Sequence, residues 1–125
     1  MEPIKKEDYL IEYNKFIDSY KRTEVSGEEV GEIISRLAQY YANYNMQVVT
    51  NERKMSTIAK DIESRADDNG KPISSTKASV YLSATDEAHD YRVSKAHLQN
   101  IECFLNSLKA LQKGILQEWQ HMGNI

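Results

Sequence analysis

The chain has 125 residues, of which 40% are hydrophobic and 28% charged, and its formal net charge is −3. This length predicts one small domain, residues 1–125, with a modest core. The mild negative charge gives no global reason to expect nucleic-acid binding, although it leaves room for a local basic face. A single cysteine, Cys103, excludes an internal disulfide, and from the sequence pattern we expect neither a signal peptide nor a membrane-spanning segment. We therefore expect a cytoplasmic protein.

The first predicted element is a short acidic helix within residues 1–24. Its apolar side chains recur at steps of three and four residues, which is typical of an amphipathic helix. They are Tyr9, Leu10, Tyr13, Phe16, Ile17 and Tyr20. An isolated helix of about 15 residues is marginal in water, so we expect this aromatic face to dock on the rest of the chain.

A long helix is predicted over residues 26–68. Ser26 and Glu29 have the spacing of a capping box, and Val25 and Val30 that of a hydrophobic staple. A heptad seam follows: Val30, Ile34, Leu37, Tyr41, Tyr44, Val48, Asn51, Met55, Ile58, Ile62 and Arg65. A polar residue inside such a seam usually sets register or oligomeric state, so Asn51 is predicted to be register-setting.

Residues 69–75 are predicted to form a turn, because Gly70 suits a left-handed cap and Pro72 prevents simple continuation of the helix. A second long helix is predicted over 75–122, with an inward stripe in its first part. That stripe comprises Ala78, Tyr81, Ala84, Ala88 and Tyr91. Thr85, followed by two acidic residues, is a second start signal, so a break is predicted near residues 83–85.

These elements predict an all-α fold: a long antiparallel helical hairpin with a short N-terminal helix. Two long helices bury one seam and leave other apolar rows without partners. We therefore expect a homo-oligomer that assembles through the C-terminal helix. The predicted interface residues are Phe104, Leu108, Leu111, Ile115 and Trp119.

No catalytic apparatus is visible in the sequence. It has no glycine-rich phosphate loop, no HExxH motif, no paired cysteine ligands and no nucleophile beside a base. Asp86, His89 and Asp90 share a helical face and could hold a divalent ion weakly, but their spacing indicates no fourth ligand, and a solvated polar face explains them as well. We predict a non-catalytic protein with no metal site and no cofactor.

Six basic residues gather around the predicted turn, where they could contact a phosphate backbone. They are Arg53, Lys54, Lys60, Arg65, Lys71 and Lys77. Five acidic residues share this region, so an ordinary solvated helix surface with ion pairs is the alternative interpretation. The chain also has eight tyrosines. One interpretation is that they pack in the core or between subunits, and the alternative is that some of them stack on nucleic-acid bases.

The stretches "TKASVYLSATDEAHDY" and "FLNSLKALQKGI", which follow a long helix with a basic half and a short glycine-containing loop, resemble the UvsY-type recombination mediators of tailed phages and their prophage relatives. The similarity covers about residues 40–120. The matching positions are Lys77, Val80 and Leu82 before Asp86, and then Leu108, Lys109 and Ala110.

This resemblance implies a small helical oligomer that binds single-stranded DNA and helps to load a RecA-like recombinase onto strands coated by a single-strand-binding protein. The family's basic stretch would correspond to Arg53, Lys54, Lys60 and Arg65, and its oligomer-forming helix to the C-terminal helix. The location would then be the host cytoplasm, with no membrane partner. Two alternatives remain open: an adaptor or inhibitor that blocks a host factor with its acidic aromatic helix, and a small virion or scaffold component.

Overall fold

The computed structural model describes the backbone of residues 8–123 and the side chains of residues 8–118 and 120. This part of the chain forms four helices: α1 (Asp8–Arg22), α2 (Gly27–Glu63), α3 (Ser75–Ser83) and α4 (Asp86–Gly123). The long helices α2 and α4 pack against each other as a helical hairpin, so the predicted all-α hairpin fold is confirmed.

The two long helices run antiparallel. Near the start of α2, Gly31 faces Gln112 of α4: a Cβ atom placed on Gly31 would lie 3.7 Å from Nε2 of Gln112. Further along α2, the ring of Tyr44 lies 5.0 Å from that of His97, and Asn51 donates a hydrogen bond to Ser94. Residue numbers thus rise along α2 as they fall along α4, which is the arrangement that a heptad seam and a tight turn predict.

The chain divides into two compact units: unit 1 comprises residues 1–42 and 99–125, and unit 2 comprises residues 43–98. Each unit has buried residues of its own. Those of unit 1 are Tyr9, Val25, Val30, Ile33, Leu37, Tyr40, Ile101 and Leu108, and those of unit 2 are Tyr44, Ile62, Ala78, Ala88 and Ser94. In both units most of them lie on α2 and α4. In unit 1 the predicted seam residues Ile34 and Tyr41 are only half-buried, whereas their neighbours Ile33 and Tyr40, which lie outside the predicted seam, are buried.

Helix α1 docks in unit 1 through its aromatic face. The Tyr13 ring stacks on the Phe104 ring, with centroids 4.0 Å apart and planes 6° from parallel. Tyr9 is fully buried and meets Tyr40 edge-on at 6.1 Å. Offset and edge-to-face aromatic pairs add to the free energy gained by burying the rings, and this contribution holds a helix too short to be stable by itself.

The start of α2 follows from its capping residues. The backbone N–H of Glu29 donates to Oγ of Ser26 at 3.2 Å, as a capping box requires. Val25 and Val30, the residues with staple spacing, are both buried. The cap therefore sets the phase of the seam from its first turn.

The chain leaves the helix at Ala84 and Thr85, which separate α3 from α4. The Thr85 hydroxyl donates to the carbonyl of Leu82 at 2.6 Å and accepts the N–H of Ala88 at 3.2 Å, so Thr85 ends one helix and caps the next. This break resets the helical phase. The expected inward stripe is therefore wrong at Tyr81, which is 48% exposed, and at Ala84, which is also exposed.

Leu108→Ala should lower the free energy of unfolding by about 2–5 kcal/mol, because it opens a cavity at a side chain that is only 1% exposed. Leu116→Ala, the same substitution on the same helix at a leucine that is 58% exposed, should change it by no more than about 0.5 kcal/mol. Urea unfolding followed by circular dichroism measures both. Equal losses would contradict the orientation of α4.

Tyr40 gives unit 1 a pH-dependent stability. Burial raises the pKa of its hydroxyl above the ordinary value of 10.0, the Glu12 and Asp8 carboxylates raise it further, and Arg36 lowers it. The folded protein therefore holds this proton more tightly than the unfolded chain. The stability that the protonated Tyr40 hydroxyl contributes is fully present below about pH 10, and it is lost as the pH rises through the pKa of Tyr40 in the folded state.

We expect Tyr40→Phe to remove this dependence. The difference in unfolding free energy between wild type and variant should be constant from about pH 7 to pH 9, and wild type should lose stability relative to the variant above about pH 10. Urea titrations across this range test the expectation, and parallel pH profiles up to complete alkaline unfolding would refute it.

Candidate nucleic-acid interface

The turn between α2 and α3 is built by one carboxylate. Oδ1 of Asp67 accepts the N–H groups of Asn69 and Lys71, both at 2.9 Å, and the Asp67 N–H donates to the carbonyl of Lys71 at 2.6 Å. Gly70 takes a φ of +76° at the apex, a conformation that glycine adopts without strain. Asp67 thus folds the backbone of a compact turn, and α2 ends at Glu63, before residue 68 where the sequence pattern places its end.

All six predicted DNA-contacting residues lie in unit 2 and have exposed side chains. Three belong to α2, one follows the end of α2, one lies in the turn and one lies in the first turn of α3. In this order they are Arg53, Lys54, Lys60, Arg65, Lys71 and Lys77. We call this set the basic end. The structure therefore brings the six residues into one unit and leaves each of them accessible.

Ion pairing separates one member of the basic end from the others. Nη2 of Arg65 lies 2.8 Å from Oδ2 of Asp61, four residues earlier. Among the residues that the structure describes, none of the other five cations has a carboxylate within the 4.0 Å of a salt bridge. Of the six residues, Arg65 alone forms the i, i+4 ion pair that the alternative interpretation of a charged, solvated helix surface predicts.

Part of the basic end lies on the solvent-exposed face of α2. Arg53 and Lys60 are seven residues apart, so they lie on one face of the helix, opposite the seam residues. Two large apolar side chains, Met46 and Val49, continue this face and are 65% and 48% exposed. The outer face of α2 in unit 2 is therefore both apolar and basic.

Asn51 makes a polar contact inside the seam of unit 2. Its Nδ2 donates to Oγ of Ser94 at 3.2 Å and to the carbonyl of Asp90 at 3.3 Å. Ser94 is only 3% exposed, and its hydroxyl donates in turn to the carbonyl of Tyr91 at 3.0 Å. Neither Asn51 nor Ser94 has a buried side-chain polar atom without a hydrogen-bond partner, so the pair fixes the position of α2 on α4 at no cost in unpaired buried groups.

The residues expected at an oligomer interface lie in different surroundings. Phe104 stacks on Tyr13 and Leu108 is buried, so both already have partners inside unit 1. Leu111 and Ile115 are half-buried, while the side chain of Trp119 lies outside the described residues. Ile115 lines an open groove of about 470 Å³ together with Gly27, Lys109, Gln112, Lys113 and Leu116.

No group of three or more histidine, cysteine or acidic side chains in the described part of the chain is arranged to hold a metal ion. Asp86, His89 and Asp90, which share a helical face in the sequence, are all exposed on α4. Within the same described part, no helix combines the length and hydropathy needed to cross a membrane.

Comparison with known proteins finds no protein-family model, no curated protein and no solved structure that matches the chain.

Two substitutions at one position test the role of Asn51. Asn51→Leu should raise the melting temperature, because it adds apolar burial to the seam and leaves the Ser94 hydroxyl bonded to Tyr91. Asn51→Asp should lower the free energy of unfolding by about 1–3 kcal/mol, because a carboxylate cannot donate to Ser94 or to the Asp90 carbonyl. Thermal melts and sedimentation equilibrium measure stability and subunit number. Equal melting temperatures for the two variants would show that the hydrogen bonds do not matter.

Proposed function

We propose that the protein is a non-catalytic accessory protein of phage-type DNA recombination or replication, which binds single-stranded DNA through the basic end and acts with a recombinase or a single-strand-binding protein. The observation that carries the proposal is the set of five exposed cations in unit 2 that have no ion pair within the described chain. Exposed lysine and arginine side chains that have no ion pair can replace the counterions of a phosphate backbone.

The local charge sets the strength of binding that we expect. Residues 51–77 contain six basic and five acidic side chains, a net charge of +1. Asp61 is paired with Arg65, and the side chain of Asp67 accepts an N–H group of its own turn; both are included in this net charge. One chain should therefore bind DNA weakly and with strong salt dependence. Several chains on one strand would multiply these contacts, which is how we expect a homo-oligomer to reach useful affinity.

The preference for single strands, and for a recombinase or single-strand-binding protein as partner, rests on the resemblance of residues 40–120 to the UvsY-type mediators. It is independent of the charge argument, which applies to any phosphate backbone. Duplex and single-stranded oligonucleotides of equal length should therefore be compared directly.

A protein adaptor is the second candidate, and the exposed Met46 and Val49 favour it. Large apolar side chains on an unpartnered helix face are typical of protein-binding surfaces. The form of this alternative that uses the aromatic face of α1 is less favoured, because Tyr9 is buried and Tyr13 is stacked on Phe104. An adaptor acting through α2 should bind a purified recombinase, lose that binding in Val49→Glu, and bind no DNA at any salt concentration.

Charge reversal on two exposed lysines tests the DNA proposal. Lys60→Glu should weaken binding to fluorescein-labelled oligo-dT by roughly tenfold at low salt, because it removes a phosphate contact and adds a repulsive charge. Lys113→Glu makes the same change on α4 in unit 1, where no member of the basic end lies, and should have less than roughly a twofold effect.

Fluorescence anisotropy measured over a range of salt concentrations gives both affinities. The proposal fails if the wild-type protein does not bind oligo-dT at low salt, or if the two charge reversals weaken binding equally.

A further inference from the structure

Helix α3 presents an unusual outer face. The helix spans Ser75–Ser83 and contains one basic residue, Lys77, and no acidic residue. Lys77, Val80 and Tyr81 have the spacing of three and four residues that places side chains on one helical face. Val80 is 62% exposed and Tyr81 is 48% exposed. This outer face thus combines an aromatic ring, an aliphatic side chain and an unpaired ammonium group.

The other side of α3 holds the helix in place. Ala78 is buried and Leu82 is half-buried, so these two residues face the interior of unit 2. The N-terminus is capped by Ser74, whose Oγ accepts the N–H of Lys77 at 3.2 Å. At the other end, Nη2 of Arg92 donates to the carbonyl of Ser83 at 3.3 Å. The backbone under Tyr81 is therefore tied at both ends, which limits the entropy lost when the ring binds a ligand.

The other seven tyrosines are not available in this way. Tyr41 is half-buried on α2. Tyr9, Tyr40 and Tyr44 are buried, Tyr13 is stacked on Phe104, and the Tyr91 ring has Lys95 Nζ 5.7 Å from its centroid. Tyr20 is 45% exposed, but its helix α1 carries the acidic residues Asp8, Glu12 and Asp18 as well as basic ones. Tyr81 therefore combines exposure of its ring with a helix that carries positive charge only.

We propose that Tyr81 stacks on an unpaired base of single-stranded DNA, while Lys77 contacts a neighbouring phosphate and Val80 covers the edge of the base. This inference rests on the proposed function and assigns to it a base-contacting residue. Stacking on an aromatic ring is tolerant of sequence because every base has a π-face. A nucleic acid is the better occupant than a protein helix, because the only charge on α3 is positive and matches a polyanion.

Four substitutions separate stacking from charge. Tyr81→Ala should weaken binding to oligo-dT by about tenfold or more without changing the slope of log K against log salt. Tyr81→Phe should bind like wild type, since it keeps the ring. Lys77→Ala should reduce the magnitude of the salt slope by about 0.7, the value for one phosphate contact on a single strand. Tyr20→Ala, at the other exposed tyrosine, is the matched control and should bind like wild type.

A second measurement reports stacking itself. Oligo-dT carrying one 2-aminopurine should show a change in 2-aminopurine fluorescence on binding to wild type and Tyr81→Phe, and a much smaller change with Tyr81→Ala at saturating protein concentration. Circular dichroism of Tyr81→Ala should match that of wild type, because the ring is half exposed.

The outcomes distinguish this inference from the proposed function. If wild type binds oligo-dT and Lys60→Glu weakens it, but Tyr81→Ala binds like Tyr20→Ala, stacking by Tyr81 is overturned and the proposed function stands. If Tyr81→Ala loses binding to a purified recombinase and not to DNA, α3 is a protein-binding face and the inference is overturned. If wild type does not bind oligo-dT at all, both fail.

Discussion

The packing of α2 on α4 is the contact on which the rest of this structure depends. A pair of helices more than 35 residues long buries one stripe of each helix and leaves the opposite stripe in water. The buried stripe is mostly apolar, and the half-buried Asn51 on α2 is hydrogen-bonded to the buried Ser94 on α4. Because the interior is occupied by this seam, binding has to use exposed faces. The basic end and the outer face of α3 are such faces, and both belong to unit 2.

Much of the local structure could be predicted from spacing alone. The seam of α2, its Ser26 cap and the break before α4 depend on residues within a few turns of one another, and such signals are carried in the sequence. The exposure of Tyr81 could not be predicted by extending one period through the break, because Ala84 and Thr85 reset the phase. The hydroxyl of Thr85 was the available signal, since a residue that caps a new helix ends the register of the previous one.

The sequence pattern does not predict which distant segments of the chain contact each other. Periodicity identifies the aromatic face of α1 but not its partner, and the stacking of Tyr13 on Phe104 depends on how α1 meets the middle of α4 within unit 1. For the same reason, Phe104 and Leu108 were expected at a subunit interface, whereas both have partners within the chain. The exposed cations of the basic end were identifiable by charge, but their freedom from ion pairs depends on side-chain directions that only the structure provides.

We propose that the functional surface of this protein is the end of unit 2 that carries the turn and α3. Amide chemical shifts of ¹⁵N-labelled protein, titrated with oligo-dT at low salt, test it residue by residue. We expect the largest chemical-shift changes in residues 53–81 and unchanged chemical shifts in residues 8–42 of unit 1. Shifts confined to unit 1, or no shifts at saturating oligonucleotide concentration, would contradict it.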